Sequence, residues 1–397
     1  MLLLKNMFSP QFFGNIGDEA WQVRERARKR RERTIQALLI LLLVALIAAA
    51  AMNITDNLEA RNIHSGFAFL FEPAGFDVGE ALIPFTSTDH MFRAFLVGVL
   101  NTVKVSLISI VGATVLGVIV GMMRLSRHPM LQFLGVAHVE AYRNVPLLVL
   151  LLMLYLVVTE LLPGGREALH IGDWIFLSKA GLQFAHPAMG IVALGISAVI
   201  GGIFAVVTRV VVSKKSTGLI ANCWALIAFS GIAFLSWILC GVVGGWEHPV
   251  ATRFALRGGA QISPEFLTIC LGLTLFTSAA IAEIVRAGIL AVRPAQWDAG
   301  LALGLSSGET FSYVIFPQSM RLAIPPLASQ YMNLTKNSSL AVMVGYPDLV
   351  SVANTAINVS AQALEVICII MSVYLSLNLV TALLMNSLNR HVMRAPQ

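Results

Sequence analysis

The chain has 397 residues, 57% of them hydrophobic and only 12% charged, where an ordinary soluble domain carries about a quarter charged residues. Its mean hydropathy is +0.79, and the apolar residues gather into blocks of about 20, the length of helix that crosses a hydrocarbon layer about 30 Å thick. These numbers exclude a soluble globular enzyme. They also exclude a nucleic-acid reading of the net charge of +6 and pI near 9.3, because the basic residues sit in short clusters beside apolar spans.

Apolar windows predict an α-helical polytopic membrane protein with eight spans, near 34–52, 94–122, 140–162, 188–212, 219–244, 266–290, 326–346 and 361–386. Ahead of the first lie Arg24, Arg26, Arg28, Lys29, Arg30, Arg31 and Arg33, a flank that stays on the cytoplasmic side. Arg124 and Arg127, Arg209 with Lys214 and Lys215, Arg293 and Arg321, and Arg390 and Arg394 fall on the same side after eight alternating crossings. The loop 53–93 holds Asp56, Glu59, Glu72, Asp77, Glu80 and Asp89 against two arginines and is expected outside, as is 245–265. Both termini are then cytoplasmic. The first apolar run ends in Ala48–Ala51 and also suits a cleaved signal peptide; its 33-residue leader and near-spanning length favour a retained helix.

Gly117 and Gly121 form a GxxxG on the second span, a mark of close helix packing. Lys104 lies near enough to the end of that span to snorkel to water. Glu140 with Arg143, and Glu283 with Arg286, repeat Glu-x-x-Arg and are expected to pair within their helices. Cys223, Cys240, Cys270 and Cys368 all lie in apolar stretches with no CxxC and no histidine at ligand spacing, so buried packing is expected in place of a metal site or disulfide framework.

The segment 293–326 is too polar to span and reads as two short helices. Pro294 suits a first helical position, Trp297 and Leu301 lie one turn apart on one face, and Gly304 can close the helix in the left-handed conformation. Ser306 and Glu309 make a capping box that opens a second helix, expected to run to about Phe316 and stop at Pro317. Gly304-Leu305-Ser306-Ser307-Gly308 also fits GxSxG, but that nucleophile elbow works between a strand and a helix, so a membrane hydrolase is the weakest alternative.

The seventh span carries Asn333, Thr335, Lys336, Asn337, Ser338 and Ser339 at its centre and must face protein or water. Ser329, Asn333, Lys336 and Asn337 share one helical face. Two readings of Lys336 stand side by side: a polar wall of a translocation path, Ser338 included, with Lys336 open to a substrate carboxylate, or a buried ion pair or hydrogen bonds to neighbouring helices.

Residues 293–317 resemble the cytoplasmic loop of the membrane subunits of ABC importers, in particular the polar amino-acid branch. Asp298-Ala299-Gly300, then Gly304, then Ile315-Phe316-Pro317 stand where that family has Glu-Ala-Ala, glycine and Ile-x-Leu-Pro. The resemblance includes Asn101-Thr102, Tyr142-Arg143-Asn144-Val145-Pro146-Leu147-Leu148, Ala282-Glu283-Ile284-Val285-Arg286-Ala287-Gly288, Gln318 and Lys336-Asn337-Ser338-Ser339-Leu340. It implies a type I importer permease core of five helices, with a further N-terminal helix and a two-helix insert, as in the longer permeases of general L-amino acid importers.

The implied organisation is a basic cytoplasmic segment 1–33, a helix and periplasmic loop 34–93, core parts 94–162 and 266–390 that flank the insert 163–265, a coupling loop 293–325 and a tail 391–397. Trp297, Asp298, Ala299, Gly300, Gly304, Ser306, Glu309 and Pro317 are the implied ATPase-coupling residues. The chain has no Gly-Lys dipeptide and so no phosphate loop; it is therefore not expected to be an enzyme, and ATP and magnesium belong on a separate ATPase. The resemblance further implies two ATPase subunits, a second, related permease, a periplasmic substrate-binding protein, an amino-acid substrate and a bacterial inner-membrane location. An ion-coupled secondary transporter is the alternative, weakened by the lack of an acidic relay through several spans.

Overall fold

The computed structural model describes residues 28, 30–46, 48–49, 52–53, 66–213, 218–252 and 256–394. Most of the N-terminal basic flank, the Lys214–Lys215 turn and Arg253 lie outside them. The chain divides into two units, Met1–Gly66 and Phe67–Gln397. In the first, residues 30–46 are helical (α1), on the segment expected to form the first span.

The second unit is built on α2 (Met91–Leu125) and α7 (Pro264–Leu290), which pack parallel, Lys104 beside Phe266 at one end and Arg124 beside Glu283 at the other. Glycine allows the contact: a Cβ at Gly117 would lie 2.6 Å from Ile281 Cγ2, and one at Gly121 2.9 Å from the Ala282 carbonyl. Both glycines of the GxxxG thus meet the same partner helix. Around this pair stand α3 (Pro129–Arg143), α4 (Leu147–Leu156, carried on by a π turn to Leu161), α10 (Phe316–Asn337), α11 (Leu349–Ser360) and α12 (Ala363–Arg394). Their common core holds Val105, Leu151, Ile269, Leu273, Ile281, Ile324, Leu334 and Tyr346.

Five unbroken helices among the described residues are long and apolar enough to cross a membrane: α2, α5 (Ile191–Ser213), α6 (Gly218–Gly244), α7 and α12. Two bent pairs raise the number to as many as seven. The expected third span, 140–162, is one of these pairs and not a straight helix, since α3 and α4 meet at 100°. Pro146 is the cause: its ring disfavours helical geometry at Val145 and ends α3 before the apolar run begins. The expected seventh span, 326–346, is the other pair. Here α10 passes into a 3₁₀ turn over Ser338–Val344, ends at Gly345 in the left-handed conformation and bends by 55° into α11.

The spanning part is all-α, but among the described residues the insert adds eight short strands that hydropathy did not reveal. β1 (Leu169–Ile171), β2 (Ile175–Ser178), β3 (Gly181–Phe184) and β8 (Ala260–Ile262) form one antiparallel sheet in that order. Two small ladders pair β4 (His186–Pro187) with β5 (Trp246–Glu247) and β6 (Val250–Ala251) with β7 (Leu256–Arg257). The sheet is closed by β8, 76 residues after β3 (184 to 260), across the whole α5–α6 hairpin. Pairing at that separation leaves no local signal in the sequence.

Candidate functional site

The segment 293–316 forms a compact helical hairpin whose ends are set by local chemistry. Pro294 occupies the first turn of α8 (Pro294–Ala302), where its missing N–H is not needed. At the other end Leu305 N–H donates to the Gly300 carbonyl at 3.2 Å and Gly304 N–H to the Leu301 carbonyl at 3.0 Å, with Gly304 at φ +80°. This is the paired-bond helix stop that glycine favours. The second arm opens at α9 (Ser307–Glu309) with both halves of the capping box in place: Glu309 N–H donates to Ser306 Oγ at 3.3 Å, and Ser306 N–H to Glu309 Oε2 at 2.8 Å. The Ser306 hydroxyl also donates to Glu309, at 2.7 Å. These Ser306 bonds hold the Glu309 carboxyl below the usual carboxylate range. With its hydroxyl committed to a helix cap and no flanking strand, Ser306 is not a nucleophile elbow.

The arms cross where Gly300 meets Thr310; a Cβ at Gly300 would lie 2.5 Å from Thr310 Cγ2. Trp297 stacks on Phe311 at 6.2 Å, and Gln318 Nε2 donates to Gln296 Oε1 at 3.2 Å and to the Val314 carbonyl at 3.0 Å. Trp297 and Gly300 therefore hold the hairpin together. Asp298, Ala299, Leu301, Leu303 and Tyr313 are exposed, Leu303 by 82%.

The second arm does not stop at Pro317. A π turn over Thr310–Ile315 leads directly into α10, where Pro317 stands in the first turn and its missing N–H is tolerated. The hairpin and the polar helix form one continuous element.

Along α10 the side chains of Ser329, Asn333 and Lys336 are exposed on one face, below Pro325 and Pro326, which remove two rungs of the helical ladder. Among the described residues no ion pair reaches Lys336, whose side chain is exposed. Asn337 is half-buried. Ser338 leaves the stripe altogether: it is fully buried and donates to the Thr335 carbonyl at 2.7 Å, because the helix tightens to 3₁₀ geometry at that residue.

Two charged knots tie α2 to α7, and of their contacts only Glu283–Arg286 was expected from the sequence. At one end Lys104 pairs with Glu80 at 2.6 Å, while Ser263 Oγ donates to the other Glu80 oxygen at 2.8 Å. Lys104 also lies 4.1 Å from the centre of the Phe266 ring, which packs on Tyr346 at 5.5 Å beside the break after α10. At the other end Glu283 pairs with Arg124 of α2 as well as with Arg286, at 3.2 Å for the latter. The second expected pair does not form: Glu140 accepts from Asn144 at 2.8 Å, among the described residues without Arg143.

Asn101-Thr102 also finds its place. Asn101 Nδ2 donates to the carbonyls of Glu80 at 2.7 Å and Pro347 at 2.9 Å, and Leu349 N–H donates to Thr102 Oγ1 at 3.0 Å, so α2 pins the break between α10 and α11. Ser263 was legible as a helix cap, since it precedes Pro264 and Glu265. Glu80 had no such signal. Among the described residues no group of histidine, cysteine or carboxylate side chains could hold a metal ion.

A family model described as "binding-protein-dependent transport system inner membrane component" matches residues 113–394. The chain is 40% identical over 381 residues to the general L-amino acid transport system permease protein AapQ of Rhizobium johnstonii, covering 93% of this chain and 94% of that one. It is 40% identical over 370 residues to the putative amino-acid ABC transporter permease protein YhdX of Escherichia coli, covering 90% and 93%. It is 35% identical over 398 residues to the glutamate/glutamine/aspartate/asparagine transport system permease protein BztB of Rhodobacter capsulatus, again covering 90% and 93%. A family match that begins inside α2 and runs through the hairpin and the polar helix to the end of α12 assigns this chain to the binding-protein-dependent transport system inner membrane components.

Proposed function

We propose that the chain is a permease subunit of an ATP-driven importer for polar or general L-amino acids, with both termini in the cytoplasm. The observation that carries this reading is the continuity of the hairpin with α10. A partner that grips Leu301 and Leu303 of the first arm and Tyr313 of the second moves, through the second arm's unbroken run into α10, the stripe of Ser329, Asn333 and Lys336. The partner is a separate ATPase that binds ATP and magnesium, and helix-in-groove docking lets its closure rock the stripe between two sides of the membrane. Asp298 and Ala299 lie on the exposed docking face, while Trp297, Gly300, Gly304, Ser306, Glu309 and Pro317 shape the hairpin that presents it.

Lys336, exposed among hydroxyl and amide groups, supplies a cation for the carboxylate of an amino acid, and the names of the three relatives support that substrate class. The exposed stripe also requires cover inside a membrane, which a second, related permease provides. A periplasmic binding protein delivers the substrate. The ion-coupled alternative has no observation in its favour.

The test is Lys336→Met in the assembled complex, a change that keeps chain length and volume. Uptake of radiolabelled amino acids is expected to fall to background while the complex and its basal ATPase activity persist. Normal uptake would remove Lys336 from the path. A cysteine at Ser307 is expected to react with impermeant maleimide only from the cytoplasmic side, and labelling of intact cells would overturn the orientation.

A further inference from the structure

The sheet of the insert has two chemically different faces. Register places Ile171 opposite Ile175 and Leu169 opposite Leu177, so these four side chains share one face of the β1–β2 hairpin. Phe176 and Gln183 point to the other face and are buried, with Phe176 packed against Ala168 and Leu256. The first face is apolar throughout yet uncovered over β1, where Ile171 is 71% exposed. Toward β8 it continues to Ile262, which packs against the core of the membrane helices.

The three-residue turn between β1 and β2, Gly172-Asp173-Trp174, is anchored at the level where α6 ends. Trp174 lies edge-on to Trp246 at 4.9 Å, and Trp246 edge-on to Trp237 of α6 at 5.3 Å. His248 Nδ1 lies 3.1 Å from the Asp173 carbonyl and adds a polar tie. An aromatic chain thus runs from inside a candidate span to the tip of the hairpin, as in the aromatic belts of membrane–water boundaries. The opposite end of the hairpin carries exposed Lys179, about 17 Å from Trp174 along the strand at about 3.3 Å per residue.

We propose that this apolar sheet face is a lipid contact: the β1–β2 hairpin lies on the outer leaflet with Leu169, Ile171 and Ile175 against the acyl boundary and Trp174 among the headgroups. Continuity favours lipid over a protein partner. The face runs at Ile262 into the membrane core and, from Trp174 through Trp246, reaches α6, most of whose apolar surface is exposed. Asp173 at the tip limits the contact to headgroup depth, because a carboxylate deeper in the bilayer would be costly. The insert then braces the start of α7 against the membrane surface through β8, independently of which substrate is carried.

The experiment places an environment-sensitive fluorophore on single cysteines at Leu169, His170, Ile171 and Lys179, with the four native cysteines replaced by alanine, in the complete permease complex in phosphatidylcholine–phosphatidylglycerol nanodiscs. The expected result alternates: blue-shifted emission, quenching by lipid with a nitroxide near the headgroup and protection from aqueous iodide at 169 and 171, and the reverse at 170 and 179. Iodide quenching at 169 and 171 would overturn the proposal. So would protection that appears only when the binding protein is added, or shielding from iodide and lipid nitroxide alike, which would mark a protein partner.

Discussion

The two ends of the α2–α7 pair are tied in opposite ways. At the Ser263 end each member of the knot comes from a different element: Glu80 from a loop, Lys104 from α2 and Ser263 from the cap of α7. At the Glu283 end all three members sit on the two helices, two arginines sharing one carboxylate. The first knot can open by moving a loop; the second opens only if the helices part. About 20 residues, near 30 Å of helix, separate Lys104 from Arg124 along α2 and Ser263 from Glu283 along α7, the thickness of a bilayer core. Under the rocking motion proposed above, a helix pair needs one fixed end and one that releases, and the chemistry of the two knots matches that need.

The sharpest way to break the comparison is to remove one carboxylate from each end. Glu283→Gln strands two partly buried guanidiniums and is expected to cost about 3–5 kcal/mol, read as a large fall in the melting temperature of the purified complex. Glu80→Gln strands a single ammonium in place of two guanidiniums and should cost about 1–3 kcal/mol, with much of the loss recovered in the charge-swapped Glu80→Lys/Lys104→Glu pair. Equal losses, or a larger one for Glu80→Gln, would reverse the assignment of fixed and releasable ends.

The hairpin is joined to the fixed end through α7 and α10, and its integrity can be tested separately. Gly300→Val drives a side chain into Thr310 and is expected to cost about 1–3 kcal/mol locally, with loss of copurified ATPase while the subunit still inserts. Gly304→Val places a β-branched residue at φ +80° and should cost about 1–2 kcal/mol, with weaker but detectable loss of ATPase. Wild-type ATPase recovery in both variants would separate the hairpin from coupling.

The smallest effect is on pH. Ser306 holds the Glu309 carboxyl below its ordinary range, and the Thr86 amide does the same for Asp89 in the loop that carries Glu80. Because both folded values lie below the unfolded ones, the caps are fully effective above the ordinary carboxylate pKa of about 4 and fade as pH falls through the depressed values. Hydrogen exchange of the hairpin amides should quicken at low pH, and Glu309→Gln, which keeps an acceptor, should flatten that dependence.

Composition and spacing alone determined that the chain is a helical membrane protein and where the hairpin starts and turns, because capping, glycine at a positive φ and proline at a first turn act within five residues. They determined the polar face of α10 for the same reason, through helical period. They misplaced or left unread what depends on neighbours. Pro317 reads as a stop, yet a π turn carries the helix past it; Lys104 reads as close to water, and the loop 24 residues away that supplies Glu80 is not legible; Ser338 reads as part of the stripe, yet the helix narrows and buries it. The sheet of the insert is the extreme case, closed by a strand on the far side of two spanning helices. Local backbone chemistry is written in adjacent residues, whereas ion-pair partners, helix continuity and strand pairing are decided by which distant groups the packed helices bring within about 3 Å, the reach of a hydrogen bond.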